Sequence, residues 1–402
     1  MARADRPGVA GPLSPFSDGF AAHLIGLGYV SSGFRGQVAL FAHLDRWLGA
    51  AGMTIADLTP PVLEQFLRMR AAEGYVTMLT GHGLAPLLEY LDHLGLLPAT
   101  VSSATAMDKI VDRFHHHLLR ERGVSEGTAA NYARVARQFL AGRPTPLEAS
   151  LASVTTGDVV AFVLAGSGHL SVPAMQTVVA AMRALLRFLY TAGLTSRSLA
   201  GAVPTVARRR EELPRALPAG HIERLVESCD RNTAVGMRDF AIVTMLARLG
   251  LRANEVASLC LDDIDWAAGD VRIWGKGPRV DKLPLPADVG EALAVYLQHG
   301  RPRCRDRRVF IRSCAPRRGL SRQGVGGLVR AASARAGLAA HGPHRLRHTV
   351  ATGLLRQGAP LMEIAQLLRH QSVQATSIYA KVDDQSLSSL AQPWPGGADE
   401  HP

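Results

Sequence analysis

The stretch GPHRLRHTVATGLL, residues 342–355, sets His344, Arg345, Arg347 and His348 in the first turns of an otherwise apolar helix. A helix N-terminus already carries partial positive charge, so this crowding is unfavourable unless an anion lies opposite. His344 and Arg347 stand three apart and share a helix face. Other groups with chemistry in them stand elsewhere in the second half. Arg252 follows a helix stop in LGLRANEVASL, with Glu255 one turn on; Lys276 sits in GKG; His370 ends IAQLLRH; Tyr379 follows in TSIYAKV. Each has an ordinary use when taken alone: a helix cap, a turn lysine, a partner for a helix C-terminus, a half-buried ring with a wet hydroxyl. Together they offer two planar guanidinium forks, which suit phosphate oxygens, beside groups able to move protons.

The elements that must carry these groups can be read from periodicity. HIERLVESC and RDFAIVTMLARLG predict amphipathic helices, the second closing on Gly250. DVRIWGKGPRVDKLPLP alternates and turns at 275–278, which predicts a hairpin with Lys276 at its tip. Pro343 and Pro360 suit first helical turns, and Gly358 ends the helix between them. In the first half, 20–48 resembles 114–140, DLTPPVLEQFL (57–67) parallels SVTTGDVVAFVL (153–164), and LLEYLDHLGL (87–96) parallels LLRFLYTAGL (185–194). These pairs predict two similar four-helix units, with Thr59 and Thr155 as helix N-caps. GAVPTVARRREELPRALP, with three prolines and the run Arg208, Arg209, Arg210, reads as a linker that lies along a phosphate backbone or is merely solvated.

Taken in order, the polar residues resemble the signature of the tyrosine recombinases, or phage integrases: Arg, a hairpin Lys, H-x-x-R, His or Trp, and a nucleophilic Tyr. Here it reads GLRxxE at 250–255, GKG at 275–277, HRLRH at 344–348 and LLRHQSVQATSIY at 367–379. The resemblance implies that Arg252, Lys276, His344, Arg347, His370 and Tyr379 are catalytic. Tyr379 is then the nucleophile on a phosphodiester, the two arginines and His370 neutralise the non-bridging oxygens, and Lys276 protonates the 5′-oxygen. A neutral His344 takes the phenol proton. Glu255 orients Arg252 and His344, and His348 is a further orienting group or a helix-surface histidine. Two positions depart from the family pattern: Arg369 stands where Gly is usual and Lys381 where His is common. Both add charge, and both are candidate phosphate contacts alongside Arg208, Arg209 and Arg210. Lys282 is a second lysine beyond the turn.

The implied architecture is mainly α, with helical N-terminal domains and a mostly helical catalytic domain carrying a small antiparallel β-sheet, the DNA breaking-rejoining enzyme fold. Its divisions are a SAM-like core-binding domain at 104–203, a linker at 204–218, and a catalytic domain with a C-terminal tail at 219–402; the extra helical domain at 1–100, which the paired segments mark as a duplicate of its neighbour, lies outside the family's usual two-domain layout. The implied activity is site-specific recombination or integration through a 3′-phosphotyrosyl intermediate, for a mobile element or for transposition. A tetramer on two duplexes performs it, clasping DNA between two domains, with related recombinases or accessory proteins as further partners. The tail DDQSLSSLAQPW, with Leu387 to Leu390, is the candidate link between neighbours. The alternative is a monomeric type IB topoisomerase-like enzyme that nicks and closes DNA.

Composition agrees with a nucleic-acid partner without requiring it. Lys plus Arg outnumber Asp plus Glu by 45 to 34, though a coding bias toward Arg and Ala gives the same excess. No cofactor is expected, since no nucleotide-binding Gly loop occurs and exchanging one phosphodiester for another needs no ATP. No metal is expected either: His344 and His348 at i, i+4 lack the glutamate of H-E-x-x-H. Cys229, Cys260, Cys304 and Cys314 are too irregularly spaced for a metal site and read as reduced, mostly buried thiols. The start MARADRPGVAGPLSP has no apolar core, and no stretch reads as a membrane span, so the expected location is cytoplasmic, away from membranes.

Overall fold

A computed structural model of the chain describes residues 11–98, 105–206, 216–275 and 280–369. These residues form two compact units, one built from the first module together with the second half of the chain, the other from the segment between them.

In the first module α1 (Ser17–Gly26), α2 (Ser31–Ala50), α3 (Pro60–Ala72) and α4 (Gly81–His93) enclose an apolar core. Leu40, Leu44 and Leu48 recur every fourth residue of α2, so they line the one face that meets Phe20, Phe66 and Leu87. Phe20 stacks on Phe41 with ring centroids 5.1 Å apart. Thr59 occupies the N-cap of α3 without making a side-chain capping bond.

The intervening unit has α5 (Ala106–Arg120), α6 (Glu126–Ala141), the short α7 (Leu147–Ala152), α8 (Thr156–Ser167) and α9 (Val172–Thr191). Thr105 and Thr155 begin α5 and α8 with reciprocal capping boxes, using Asp108 and Asp158. The hydroxyl and amide of Thr155, followed by Arg143, hold the Asp158 carboxyl down at about 2. By length and apolarity α9 passes for a membrane span, contrary to the sequence expectation. Nine of its residues are buried among the neighbouring helices, which accounts for that apolarity.

The second half of the chain is built around α11 (Ala234–Leu249), ten of whose residues are buried. Around it lie α10 (His221–Glu227), α12 (Ala253–Ser258), α13 (Ala287–Val295), whose end runs into a π turn at Tyr296–Gly300, α14 (Arg322–Arg335) and α15 (Pro343–Arg356), with α16 (Leu361–Leu367) packed on α15. Beside α12, β1 (Ile264–Asp265), β2 (Asp270–Trp274) and β3 (Val280–Pro284) form an antiparallel sheet in the order β1-β2-β3. Val271 and Ile273 of β2 and Leu283 of β3 face the core while Arg272 and Trp274 face outward, the alternation expected of a sheet wet on one side. Trp274 pairs with Val280, so Lys276 belongs to the five residues joining these strands. The molecule is thus mainly helical with one small sheet. Only Cys229 among the four cysteines is buried, because the other three lie in the irregular connections at 260, 304 and 314 rather than on core helices.

Candidate active site

Gly250 ends α11 with φ of 58°, a left-handed conformation that reverses the chain and starts α12 three residues later. The left-handed conformation favours glycine, and a Cβ there would lie 2.8 Å from Leu368 Cδ2, so that any other residue must also displace this leucine methyl. Arg252 occupies the N-cap of α12, and Glu255 at the third helical position turns back to it. Glu255 Oε2 accepts from the Arg252 amide at 2.8 Å, and Oε1 accepts from Arg252 Nη1 at 2.7 Å. The same carboxylate accepts from Arg369 Nη2 at 2.8 Å. Burial alone would raise the Glu255 carboxyl, but Arg369 first and Arg252 second outweigh it and hold Glu255 below its ordinary value.

Arg347 lies on α15 and is 3% exposed. Its Nη1 donates to Gly250 O at 2.7 Å and its Nη2 to Leu368 O, which joins the end of α11 to the end of α16. Arg252 Nη2 donates to Arg369 O at 3.3 Å, so both guanidiniums grip the backbone that leads to His370. Pro343 fills the first turn of α15, whose N-cap, Gly342, has no side chain to cap it. One turn apart on this helix, His344 and His348 bring their Nε2 atoms to 2.9 Å. Desolvation, then Arg347 and Arg252, lower His344; desolvation, then His344 and the flanking arginines, take His348 down to about 4. Both imidazoles are therefore neutral near pH 7. At the far side of α15, Thr349 Oγ1 accepts from the Leu217 amide at 2.8 Å and anchors the chain entering this half.

These elements surround a cleft of about 810 Å³ whose walls include Arg252, Asn254, Arg322, Arg330, His344 and Arg347. Arg322 and Arg330 were missed in the sequence. With Gly326 between them they stand four and eight residues apart on one face of α14, a spacing that SRQGVGGLVR displays but that the general excess of arginine conceals. Among the described residues, no three His, Cys, Asp or Glu side chains cluster as metal ligands would.

The structure thus brings Arg252, Glu255, His344, Arg347 and His348 together. The contact of Glu255 is with arginines, and the partner of His344 is His348. Arg369 differs from the sequence expectation of a phosphate contact: its side chain is 4% exposed, and its charge is spent on Glu255, buried beneath Arg252. Lys276, His370, Tyr379, Lys381, Arg208, Arg209 and Arg210 lie outside the described residues.

Comparisons with known proteins agree in both sequence and fold. The Phage integrase family model matches residues 215–386, and the model of the phage integrase N-terminal SAM-like domain matches 111–193. The putative integrase/recombinase y4rA of Sinorhizobium fredii is 39% identical over 395 residues, 96% of each chain. Tyrosine recombinase XerD of Mycobacterium tuberculosis is 33% identical over 300 residues, 70% of this chain and 94% of that one. In fold the chain is similar to XerH site-specific recombinase bound to palindromic difH substrate (TM-score 0.54, 20% identity, 85% of this chain and 98% of that one). It is likewise similar to the Tn1549 transposon integrase in complex with circular-intermediate DNA (TM-score 0.52, 16% identity, 70% and 99%). Sequence identity sustained along the full length of a curated relative places this chain in the phage integrase family, the tyrosine recombinases.

Proposed function

We propose that this recombinase cuts and rejoins duplex DNA at defined sites through a phosphotyrosine bond, acting as a tetramer on two duplexes and serving a mobile element. The carrying observation is the convergence of Arg252, Arg347 and His344 on one cationic cleft, although 95 residues of chain separate the two arginines. The Tyr379 oxygen attacks phosphorus as the bond to the 5′-oxygen breaks, leaving a 3′-phosphotyrosine and a 5′-hydroxyl. His344, neutral and beside two arginines, accepts the phenol proton, and Lys276 gives a proton to the departing oxygen. Arg252 and Arg347 hold the non-bridging oxygens, each worth about 3 to 4 kcal/mol in the transition state. His370 adds a hydrogen bond to the same phosphate. A 5′-hydroxyl from the second duplex then attacks the phosphotyrosine, and the proton movements reverse. The bond energy is retained throughout, so no nucleotide is consumed. Arg322 and Arg330 extend the cationic wall and suit the neighbouring phosphates of the same strand.

XerH and the transposon integrase were each solved on DNA, which supports duplex DNA as the partner here. The test is a duplex carrying the native target with a nick beside the cleavage point, which lets the short fragment bearing the new 5′-hydroxyl diffuse away and traps the covalent adduct. The parent chain is expected to form the adduct, Tyr379→Phe to form none, and Arg252→Lys to form it about 100-fold more slowly while still binding DNA. An adduct with the Phe variant would remove Tyr379 as the nucleophile. Closing of nicks on isolated sites, with no joining between two duplexes, would identify the solitary topoisomerase-like activity instead.

A further inference from the structure

The first module has the helical form of a DNA-clasping unit but the wrong charge for one. Residues 11–97 contain four arginines and no lysine against seven carboxylates, whereas residues 105–206 contain ten basic side chains against six acidic ones. Of the four arginines, Arg70 is buried, with Nη1 2.7 Å from His43 Nδ1 and its guanidinium 3.9 Å from the Tyr75 ring centre. Only Arg35, Arg46 and Arg68 face solvent, among the exposed carboxylates Asp18, Asp57, Glu64, Glu73 and Asp92. Phosphate binding rests on a local excess of cations, and this surface has the opposite sign.

The same module touches a loop of the catalytic half that has the complementary charge. Residues 311–320, IRSCAPRRGL, hold three arginines and no carboxylate. The loop closes on itself, with Ile311 bridged to Gly319 and the Arg312 amide donating to Arg318 O at 2.9 Å. Asp306 Oδ2 accepts from the Gly319 amide at 2.7 Å and fixes its base. Arg318 forms an ion pair with Glu89 of α4. The Arg317 amide donates to Leu27 O at 2.7 Å, at the turn between α1 and α2. Gly28 in that turn has φ of 82°, and a Cβ there would fall on the aliphatic stem of Arg317, so backbone and side chain meet at closest approach. Tyr29 lies within electrostatic reach of Arg312 and Arg318.

We infer that residues 11–97 are an acidic docking module seated on the basic 312–318 loop of the catalytic domain, through Glu89 and the Leu27–Tyr29 turn, and that they make no clasp on DNA. The inference uses the cationic loop and the charge of the module, so it stands whether or not the cleavage mechanism above is right.

Two measurements on the full-length chain test it. In the first, hydrogen exchange is followed at residues 27–30 and 312–319 in Glu89→Arg, in Arg318→Glu and in the double exchange. Each single variant is expected to quicken exchange severalfold in both segments, and the double variant to return it toward the parent rate. Single variants with unchanged exchange, or a double variant no better than either single, overturn the docking contact. In the second, Arg35, Arg46 and Arg68 are all changed to Gln, and binding to random-sequence duplex DNA is titrated against salt. A slope of log affinity on log salt equal to the parent's is expected. Three lost phosphate contacts would reduce it by about 3, and a reduction of 1 or more overturns the inference in favour of a second DNA clasp.

Discussion

At the scale of single residues, Glu255 governs the cleft because two arginines compete for one carboxylate. With Arg252 alone the pair would be neutral; with Arg369 added, the trio keeps one positive charge, and Arg252, 44% exposed, presents it to the cleft. Arg369 holds its place at some cost, since its φ of 54° is a left-handed conformation disfavoured for any residue with a Cβ. Arg369→Met should destabilise the protein by less than the roughly 3 to 5 kcal/mol of an orphaned buried charge, because Arg252 stays on Glu255. Arg369→Gly should recover about 1 kcal/mol of that by relieving the backbone. Urea unfolding of both variants checks the order, and a Met variant as stable as the parent would mean that Arg369 contributes nothing. A second residue-scale prediction concerns acid. His348 sits at about 4 when folded and near 6.5 when unfolded, so the unfolded chain binds the extra proton between those values. Stability from this group is therefore full above about 6.5, falls as pH drops, and levels off below about 4. His348→Leu is expected to show a shallower fall of melting temperature over that window, and curves parallel to the parent's would sink the assignment.

At the scale of elements, the end of α11 decides where both arginines point. Gly250 turns the chain so that Arg252 starts α12, while its carbonyl receives Arg347 from α15. Gly250→Ala places a methyl against Leu368 and forces a left-handed alanine, for a cost of about 1 to 2 kcal/mol. Because that carbonyl also orients Arg347, cleavage should fall more than stability does. Comparing adduct formation with unfolding midpoints separates the two effects, and equal losses would show Gly250 to be a structural cap only. The two helix starts of the intervening unit are unlike this one: Thr105 and Thr155 are closed locally by their own Asp108 and Asp158, and need no partner from elsewhere.

At the scale of the whole molecule, charge is divided by module. The excess of Lys and Arg lies beyond residue 104, and the first module carries an acidic balance. The proposed tetramer belongs to this scale as well. The tail from residue 385, which carries Leu387 and Leu390, lies outside the described residues, and its sequence suits a short apolar contact with a neighbouring subunit. Removing everything after Asp384 is expected to spare binding at one site and to impair exchange between two sites. A shift assay beside a two-site recombination assay reads both quantities, and undiminished exchange would relieve the tail of that role.

The sequence by itself determined the elements with local causes. The stop at Gly250, the β2–β3 hairpin, the proline at the head of α15 and the capping box at Thr155 each follow from residues within a few positions of one another, where conformational preference and nearby hydrogen bonds suffice. The order of Arg252, His344 and Arg347 was legible too, through its likeness to a family signature. Tertiary structure alone decided their partners. That Arg347 spans the ends of α11 and α16, that Arg369 is buried on Glu255, that Arg322 and Arg330 join the cleft and that Glu89 meets Arg318 are contacts between residues 21 to 229 positions apart or placements on one wall. Pairing at such distances depends on how the helices pack around α11, and a guanidinium in the sequence has the same pattern whether it finally faces solvent, a carboxylate or a phosphate.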